Sequence, residues 1–255
     1  MTARNKIYFA SDIHLGALGY NSSREREARF VRWLDTIKHD ASELFLVGDV
    51  FDFWFEYKTV VPKGYIRFLG KLAELADLGI KLYLFKGNHD MWMFDYFVQE
   101  LEASIISDEL VLERQGKKLY LHHGDGLGPG DGKYKVLKKV FRSGLCQWLF
   151  ERLHPNFGVG VANYWSRHSR LAQKDNEQRK SDEQEWLVSY CKDVLKTTYY
   201  DYLIFGHRHL PLDIALNGGS CYINLGEWIH YNSYAVMESG LVELRYFEPK
   251  ELIDH

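Results

Sequence analysis

Five short polar motifs hold most of the residues in this chain that could do chemistry: Asp12-Ile13-His14, Gly48-Asp49, Gly87-Asn88-His89-Asp90, His123-Gly124-Asp125 and Gly206-His207-Arg208-His209. Asp, Asn and His offer carboxylate and amide oxygens and neutral imidazole nitrogens, a donor set that suits Mn, Fe, Zn, Ni or Co. In Asp12-x-His14 and His207-x-His209 the i, i+2 spacing puts both side chains on one face of an extended chain, able to grip one ion or two adjacent ions. The glycines at 48, 87, 124 and 206 keep the backbone free to turn tightly. Gly-Asp alone carries no information, and a lone His after a strand is more often a hydrogen-bonded core or surface residue. The specificity lies in all five motifs in this order, each directly after an apolar run. Two ions about 3.5–4 Å apart can share a water and a phosphoryl oxygen. They generate hydroxide near neutral pH and neutralise the charge that builds up at phosphorus. No protein nucleophile stands out, so the expected reaction is hydrolysis of a phosphoester by metal-activated water.

The apolar runs that precede these motifs are Ile7–Ala10, Leu44–Val47, Leu82–Phe85, Leu119–Leu121 and Tyr202–Phe205. Each is short and bounded by polar or Gly-containing segments, which favours strands. Ligands of open α/β sheets gather outside the carboxyl ends of strands, so five strand ends converge on one site. Between the early strands, Arg24 to His39 places Phe30, Trp33, Leu34 and Ile37 at helical spacing, with Ser22 or Ser23 as N-cap. Tyr65 to Leu78 repeats Ile66, Leu69, Leu72, Leu75 and Ala76, and Gly79 follows as a helix stop. Strand–helix alternation predicts an α/β fold. After residue 210, Ile214–Leu216, Tyr222–Leu225, Tyr234–Met237 and Leu241–Phe247 read as strands, with turns at Asn217-Gly218-Gly219 and Ser239-Gly240. That half is expected to be antiparallel.

Residues 126–200 contain no convincing strand. Leu137, Val140, Phe141, Leu145, Trp148 and Leu149 fall on one helical face, and Lys135, Lys138, Lys139 and Arg142 lie mostly off it. A second helical stretch runs through Trp186, Leu187, Tyr190, Val194 and Leu195. The whole chain, 1–255, is read as a single domain with a helical lid inserted at about 126–200.

At 255 residues, with 46% hydrophobic and 26% charged residues, the chain has the composition of a soluble globular protein that needs no disulfides. Its three cysteines, Cys146, Cys191 and Cys221, form no CxxC pair, which fits a reducing compartment. The N-terminal stretch lacks an apolar leader region, and no apolar run reaches the ~20 residues of a membrane span. The chain is expected to be cytoplasmic. Its net charge is −3, yet Lys133–Lys180 holds eleven Lys/Arg against three Asp/Glu. A basic segment on an otherwise acidic chain is either a solvated helical face or a contact for an anionic partner.

The five motifs resemble, in type and order, those of the calcineurin-like metallophosphoesterase superfamily, and the resemblance covers essentially the whole chain. It implies an α/β (α+β) four-layer αββα sandwich with two divalent ions, manganese being expected. Carried over motif by motif, Asp12, His14, Asp49 and His209 would hold one ion. Asp49, Asn88, His123 and His207 would hold the other, with Asp49 bridging. The family places its ligand directly before Gly-Asp, which selects His123 over His122. His89 would be a general acid, a phosphate clamp or a structural hydrogen-bonding group. Asp90 would orient His89 or a ligating His.

The aromatic stretch Leu46-Val-Gly-Asp-Val-Phe-Asp-Phe-Trp-Phe55 is similar to the corresponding segment of the UDP-2,3-diacylglucosamine diphosphatases of lipid A biosynthesis. These enzymes release UMP and 2,3-diacylglucosamine 1-phosphate, and they carry a helical lid in the same place. By that resemblance Asn88, His89, Asp131, Tyr134, Arg167, Ser169, Arg170 and Lys174 would bind substrate. The apolar face around Leu137–Leu149, with Trp54, Phe55 and Trp165, would line an acyl chamber, although packing between lid and body accounts equally for each aromatic. The implied partner is a lipid-linked nucleotide, with peripheral contact at the inner membrane surface through the basic amphipathic helix. Neither a nucleic acid nor an obligate protein partner is expected. Two positions depart from the pattern: His89 stands where the better-known branch has Arg, and Arg208 where Thr is usual. Two alternatives stand beside this reading. One is a phosphodiesterase or phosphatase acting on a nucleotide or nucleic acid. The other is a non-catalytic scaffold on the same fold.

Overall fold

Alternation along the strands sorts this chain into layers. In β1 (Lys6–Ala10), Ile7 and Phe9 face one side and Tyr8 and Ala10 the other, and all four are buried. A strand covered on both faces belongs inside a stack of layers. The computed structural model, which describes residues 4–17, 22–128, 132–162, 164, 166 and 186–248, shows what covers each face. One sheet runs in the order β11 (Leu241–Tyr246), β10 (Ser233–Glu238), β1, β2 (Ala41–Leu46), β3 (Lys81–Phe85), β4 (Ser104–Ile106). The other runs β5 (Glu109–Arg114), β6 (Lys117–His122), β7 (Tyr202–Phe205), β9 (Cys221–Leu225), β8 (Pro211–Ala215).

The two sheets meet through Ile7, Phe9, Phe45 and Phe85 on one side and Leu119, Leu121, Ile204 and Ile223 on the other. The outer face of the first sheet packs on α1 (Ser23–Ile37), α2 (Ile66–Asp77) and α3 (Tyr96–Leu101) through Trp33, Leu34, Phe68, Leu72 and Phe97. The outer face of the second packs on α7 (Trp186–Leu195) through Leu187 and Cys191. Helix, sheet, sheet and helix make the four layers expected.

The helices start where local chemistry satisfies their free N–H groups. Ser22 caps α1 by accepting the Glu25 N–H at 3.2 Å. Tyr65, before α2, sits at φ 57° without a side-chain cap. Glu27 of α1 takes over that task and accepts from Arg67 and Phe68 N–H at 3.1 and 3.2 Å. A buried carboxylate thus welds two helices behind the first loop of the site.

Three features differ from expectation. The C-terminal strands split between the sheets, and β9 pairs in parallel with β7. β4, β5 and α3 were not expected: β4 is three residues long, and β5 holds only the short run Leu110–Leu112 between charged residues, with half-exposed alternation. The insertion between β6 and β7 holds helices and no strand among its described residues, but its apolar face is not continuous. Ser143 caps a new helix, so α4 (Gly132–Arg142) and α5 (Gly144–Glu151) are separate, followed by α6 (155–162). Leu137 and Phe141 turn inward, whereas Val140, Leu145, Trp148 and Leu149 are exposed. The insertion is pinned to the body by Arg142 on Asp108 and by Trp92 Nε1 donating to Phe141 O at 2.8 Å. Asp131, Trp165, Arg167, Ser169, Arg170 and Lys174 lie outside the described residues. Among the described residues no helix is long and apolar enough to cross a membrane.

Candidate metal centre

The loops that leave β1, β2 and β3 in one sheet, and β6 and β7 in the other, all open at the same edge. Asp12 N–H donates to Gly48 O at 3.1 Å and His14 N–H to Asp49 O at 3.0 Å, which fastens the first loop to the second. Eleven described non-glycine residues have positive φ, and five of them are Asp12, His14, Asp49, His207 and His209. Such conformations persist where surrounding structure holds them, and they concentrate at functional sites. The i, i+2 pairs therefore converge through left-handed loop residues beyond the strand ends, not through extended chain. Nor do Gly87 and Gly206 owe their place to torsional freedom. A Cβ on Gly87 would overlap Asp49, and one on Gly206 would overlap Ser11 and Asp12.

Asp12, Asp49 and His123 each have one side-chain atom tied back and one left facing the centre. Asp12 Oδ2 accepts from Ser11 Oγ and from His207 N–H, leaving a buried Oδ1 that accepts no hydrogen bond. Asp49 Oδ1 accepts His89 N–H at 2.9 Å, leaving Oδ2. His123 Nδ1 lies 2.9 Å from Val47 O, which must accept, so Nδ1 keeps its proton and Nε2 is the nitrogen left facing inward. The inward atoms then stand close together. His209 Nε2 is 3.1 Å from Asp12 Oδ1 and 3.2 Å from His14 Nε2. Asp49 Oδ2 is 3.8 Å from His14 Nε2 and 3.4 Å from His123 Nε2. Asn88 Oδ1 is 3.3 Å from His123 Nε2. Two donors about 2.1 Å from one ion stand about 3.0–3.4 Å apart across a tetrahedral or octahedral edge. The centre fits divalent metal binding, in the overlapping groups Asp12–His14–His209, His14–Asp49–His89 and Asp49–His123–His207.

The electrostatics point the same way. Burial opposes every charge here. Even so, His209 and His14 hold Asp12 well below the usual carboxylate range, and His123, His89 and His14 do the same for Asp49. Burial also works against a charged His123, but Asp49 beside it outweighs this and pushes the imidazole up to about 10. Burial drives His89 and His207 down to about 4. The buried carboxylates demand positive charge at their centre, which a divalent ion supplies more strongly than a proton.

Several supporting residues escaped the sequence reading. Asp52 is buried with Oδ1 3.5 Å from His14 Nδ1, a carboxylate behind the imidazole. Its signal was an acid inside an otherwise apolar run. Buried Arg26 donates to His14 O, and Asn224 Nδ2 donates to Gly206 O at 2.8 Å. Asp90 corrects an expectation: it orients no imidazole but accepts from Val50, Phe51 and Gly87 N–H at 2.8, 3.2 and 2.8 Å. It fixes the Asp49 loop to the Asn88 loop. His122 is likewise occupied, with Nδ1 accepting Gly124 N–H at 2.7 Å. Asp125 takes the Tyr134 hydroxyl at 2.6 Å and Lys138 Nζ at 2.8 Å, joining α4 to the His123 motif.

Beside this polar centre lies a cavity of about 280 Å³. Asn88, His89 and Asp52 form its polar end. Phe53, Met91 and Trp92 of the body, with Leu137, Phe141, Phe150, Val161 and Ala162 of the insertion, form its apolar walls, and Tyr134 and Lys138 also line it. Trp54 is not among them: it is fully buried on Phe51 and Phe97 inside the body. Phe55 packs behind the wall on Trp92 and Phe150.

The chain is similar to known proteins over most of its length. The sequence profile described as calcineurin-like phosphoesterase matches residues 5–211. A Porphyromonas gingivalis protein named UDP-2,3-diacylglucosamine hydrolase is 39% identical, covering 97% of this chain and 100% of its own length. A protein of the same name from a Shewanella species is 26% identical over 94% of this chain and 96% of its own. A solved phosphoesterase from E. coli superposes with a TM-score of 0.46 at 15% identity, covering 95% of this chain and 93% of that one.

Proposed function

Because this chain belongs to the calcineurin-like phosphoesterase family and is a metal-dependent hydrolase, we propose that its substrate is UDP-2,3-diacylglucosamine. It cleaves the pyrophosphate to release UMP and 2,3-diacylglucosamine 1-phosphate, a step of lipid A biosynthesis. The observation that carries this reading is that Asn88 and His89 stand at the metal centre and also line the apolar cavity. A site built for a small phosphoester has no use for that greasy chamber, whereas a diacylated sugar buries its chains there at about 0.8 kcal/mol per methylene. The full-length relative bearing the hydrolase name supports the same substrate.

Two ions, most simply Mn²⁺, occupy the centre. Asp12, His14, Asp49 and His209 hold one, and Asp49, Asn88, His123 and His207 hold the other. Support for the bridging role of Asp49 is that its Oδ2 is within 3.8 Å of a nitrogen from each group. When bound, the ions supply positive charge to the phosphoryl oxygens and a nucleophile from water. The chain's own residues position the rest. His89 stands beside the phosphate, and Asp52 and Val47 O keep His14 and His123 oriented with Nε2 inward. The insertion at about 126–200 is the lid of a single catalytic domain. Asp131, Tyr134, Arg167, Ser169, Arg170 and Lys174 contribute phosphate and sugar contacts from it. The exposed Val136, Val140, Leu145, Trp148 and Leu149, beside exposed Lys135 and Lys139, rest on an anionic membrane surface from the cytoplasmic side.

The test is to incubate the protein with UDP-2,3-diacylglucosamine and Mn²⁺ and look for UMP. Absence of UMP, while bis-p-nitrophenyl phosphate is still cleaved, overturns the substrate and leaves the metal centre standing. Co-sedimentation with phosphatidylglycerol vesicles, lost in Trp148→Glu, tests the membrane contact.

A further inference from the structure

His89 is fixed through its backbone, because its N–H donates to Asp49 Oδ1 at 2.9 Å. That bond leaves the ring free to turn and does not decide which nitrogen carries the proton. The decision lies at Nδ1. It is 3.3 Å from Asp52 O, which can only accept, and 2.9 Å from Ser166 Oγ. Both Ser166 and Asp52 are buried, so water competes poorly for this nitrogen. If Nδ1 carried a lone pair, it would face the lone pairs of the Asp52 carbonyl. With an N–H there, both oxygens accept, and Nε2 is left for the phosphate.

We propose that Ser166, a residue of the helical insertion 77 positions beyond His89, is the positioning residue that, together with the Asp52 carbonyl, holds the orientation of His89 and its Nδ1–H tautomer. The insertion therefore does more than wall the cavity. Through one hydroxyl it completes the reacting centre, and it does so whichever phosphoester is cleaved. The Nδ1–H anchor is the same whether Nε2 is bare or protonated, so the ring keeps its place while Nε2 meets substrate. Tyr134 and Lys138 reach the His123 motif from the same insertion, but they end on Asp125 and touch no candidate metal donor.

The test uses the full chain with ¹⁵N-labelled histidine, together with Ser166→Ala, Ser166→Thr, His89→Asn and the Ser166→Ala/His89→Asn double variant. In the metal-free wild type, two-bond ¹H–¹⁵N correlations are expected to place the His89 proton on Nδ1. Ser166→Ala removes the shorter contact and leaves Asp52 O alone at 3.3 Å, so a share of the Nε2–H tautomer should appear, and Ser166→Thr should remove it. With metal and bis-p-nitrophenyl phosphate, losing one hydrogen bond predicts a kcat for Ser166→Ala about three- to tenfold lower at similar KM. In the His89→Asn background the same change should have no further effect. An Nε2–H tautomer in the wild type overturns the proposal. So does an undiminished Ser166→Ala effect in the His89→Asn background, which would mean that the hydroxyl acts on substrate directly. Because the diester reports the centre alone, failure to form UMP from the lipid nucleotide bears on the substrate and not on Ser166.

Discussion

Asp49 Oδ2 and His123 Nε2 face each other at 3.4 Å, while the other nitrogen of His123 is held by Val47 O at 2.9 Å. The pair can share a proton or a metal ion, but not both. Burial lowers the His123 pKa and Asp49 more than restores it, to about 10. At neutral pH a metal must therefore displace a proton from Nε2. The sign follows: raising pH removes the competitor, so metal affinity increases with pH until it levels off near 10. With one proton displaced, the apparent affinity for Mn²⁺ should rise roughly tenfold per pH unit between pH 6 and 9. Isothermal titration in buffers of different ionisation enthalpy should show about one proton released. Affinity independent of pH would contradict the opposition of Asp49 and His123.

Asp49→Ala is expected to abolish turnover and metal loading together, because its Oδ2 stands between both donor groups. His123→Ala should lose at least one ion. His122→Ala, one residue away, should keep its metal content, since His122 is spent on the Gly124 N–H. It should instead lose about 1–3 kcal/mol of stability. Metal analysis after dialysis, beside urea unfolding, separates the two. Retained turnover in Asp49→Ala would sink the bridging role.

Asp90→Ala removes the acceptor of three backbone N–H groups at once. Unsatisfied buried donors cost about 1–3 kcal/mol each, so the loss should reach several kcal/mol. Asp90→Asn should fall between. Its oxygen can still serve Val50 and Phe51, but its amide would face the Gly87 N–H. The order wild type, Asn, Ala in urea midpoint is the check; equal midpoints would mean that the loops are not tied through this carboxylate.

The donor residues were legible in the sequence because each follows an apolar run that becomes a strand, and because the chemistry of Asp, Asn and His narrows what they can hold. The layers were legible from the same runs. What could not be read was how the backbone presents the donors. Nothing in Asp12, His14, Asp49, His207 or His209 as residue types announces a positive φ, which the surrounding loops impose. Asp52 was hidden because its neighbours are aromatic, and its role depends on His14, 38 positions earlier in the chain. Asp90 was given an imidazole to orient because acids beside metal sites often do that, whereas here the cheaper partners were backbone N–H groups. In the insertion the apolar periodicity runs on through Ser143, whereas capping by Ser143 starts a new helix there, so one face in the sequence becomes two in the fold.

The apolar cavity offers the last test, because part of its wall comes from α5 and α6, which supply no candidate metal donor. Ala162 lines it from α6, and Phe150 from α5. Ala162→Phe fills part of the space without removing a polar contact. Each methylene so excluded should cost about 0.8 kcal/mol, or roughly fourfold in kcat/KM for the diacylated substrate. Cleavage of bis-p-nitrophenyl phosphate, which has no chain to bury, should stay within about twofold of wild type. Short-chain analogues of the lipid nucleotide should recover most of the loss. If Ala162→Phe slows both substrates equally, the cavity is packing space between insertion and body. If it slows only the long-chain substrate, the chamber is where the acyl chains lie.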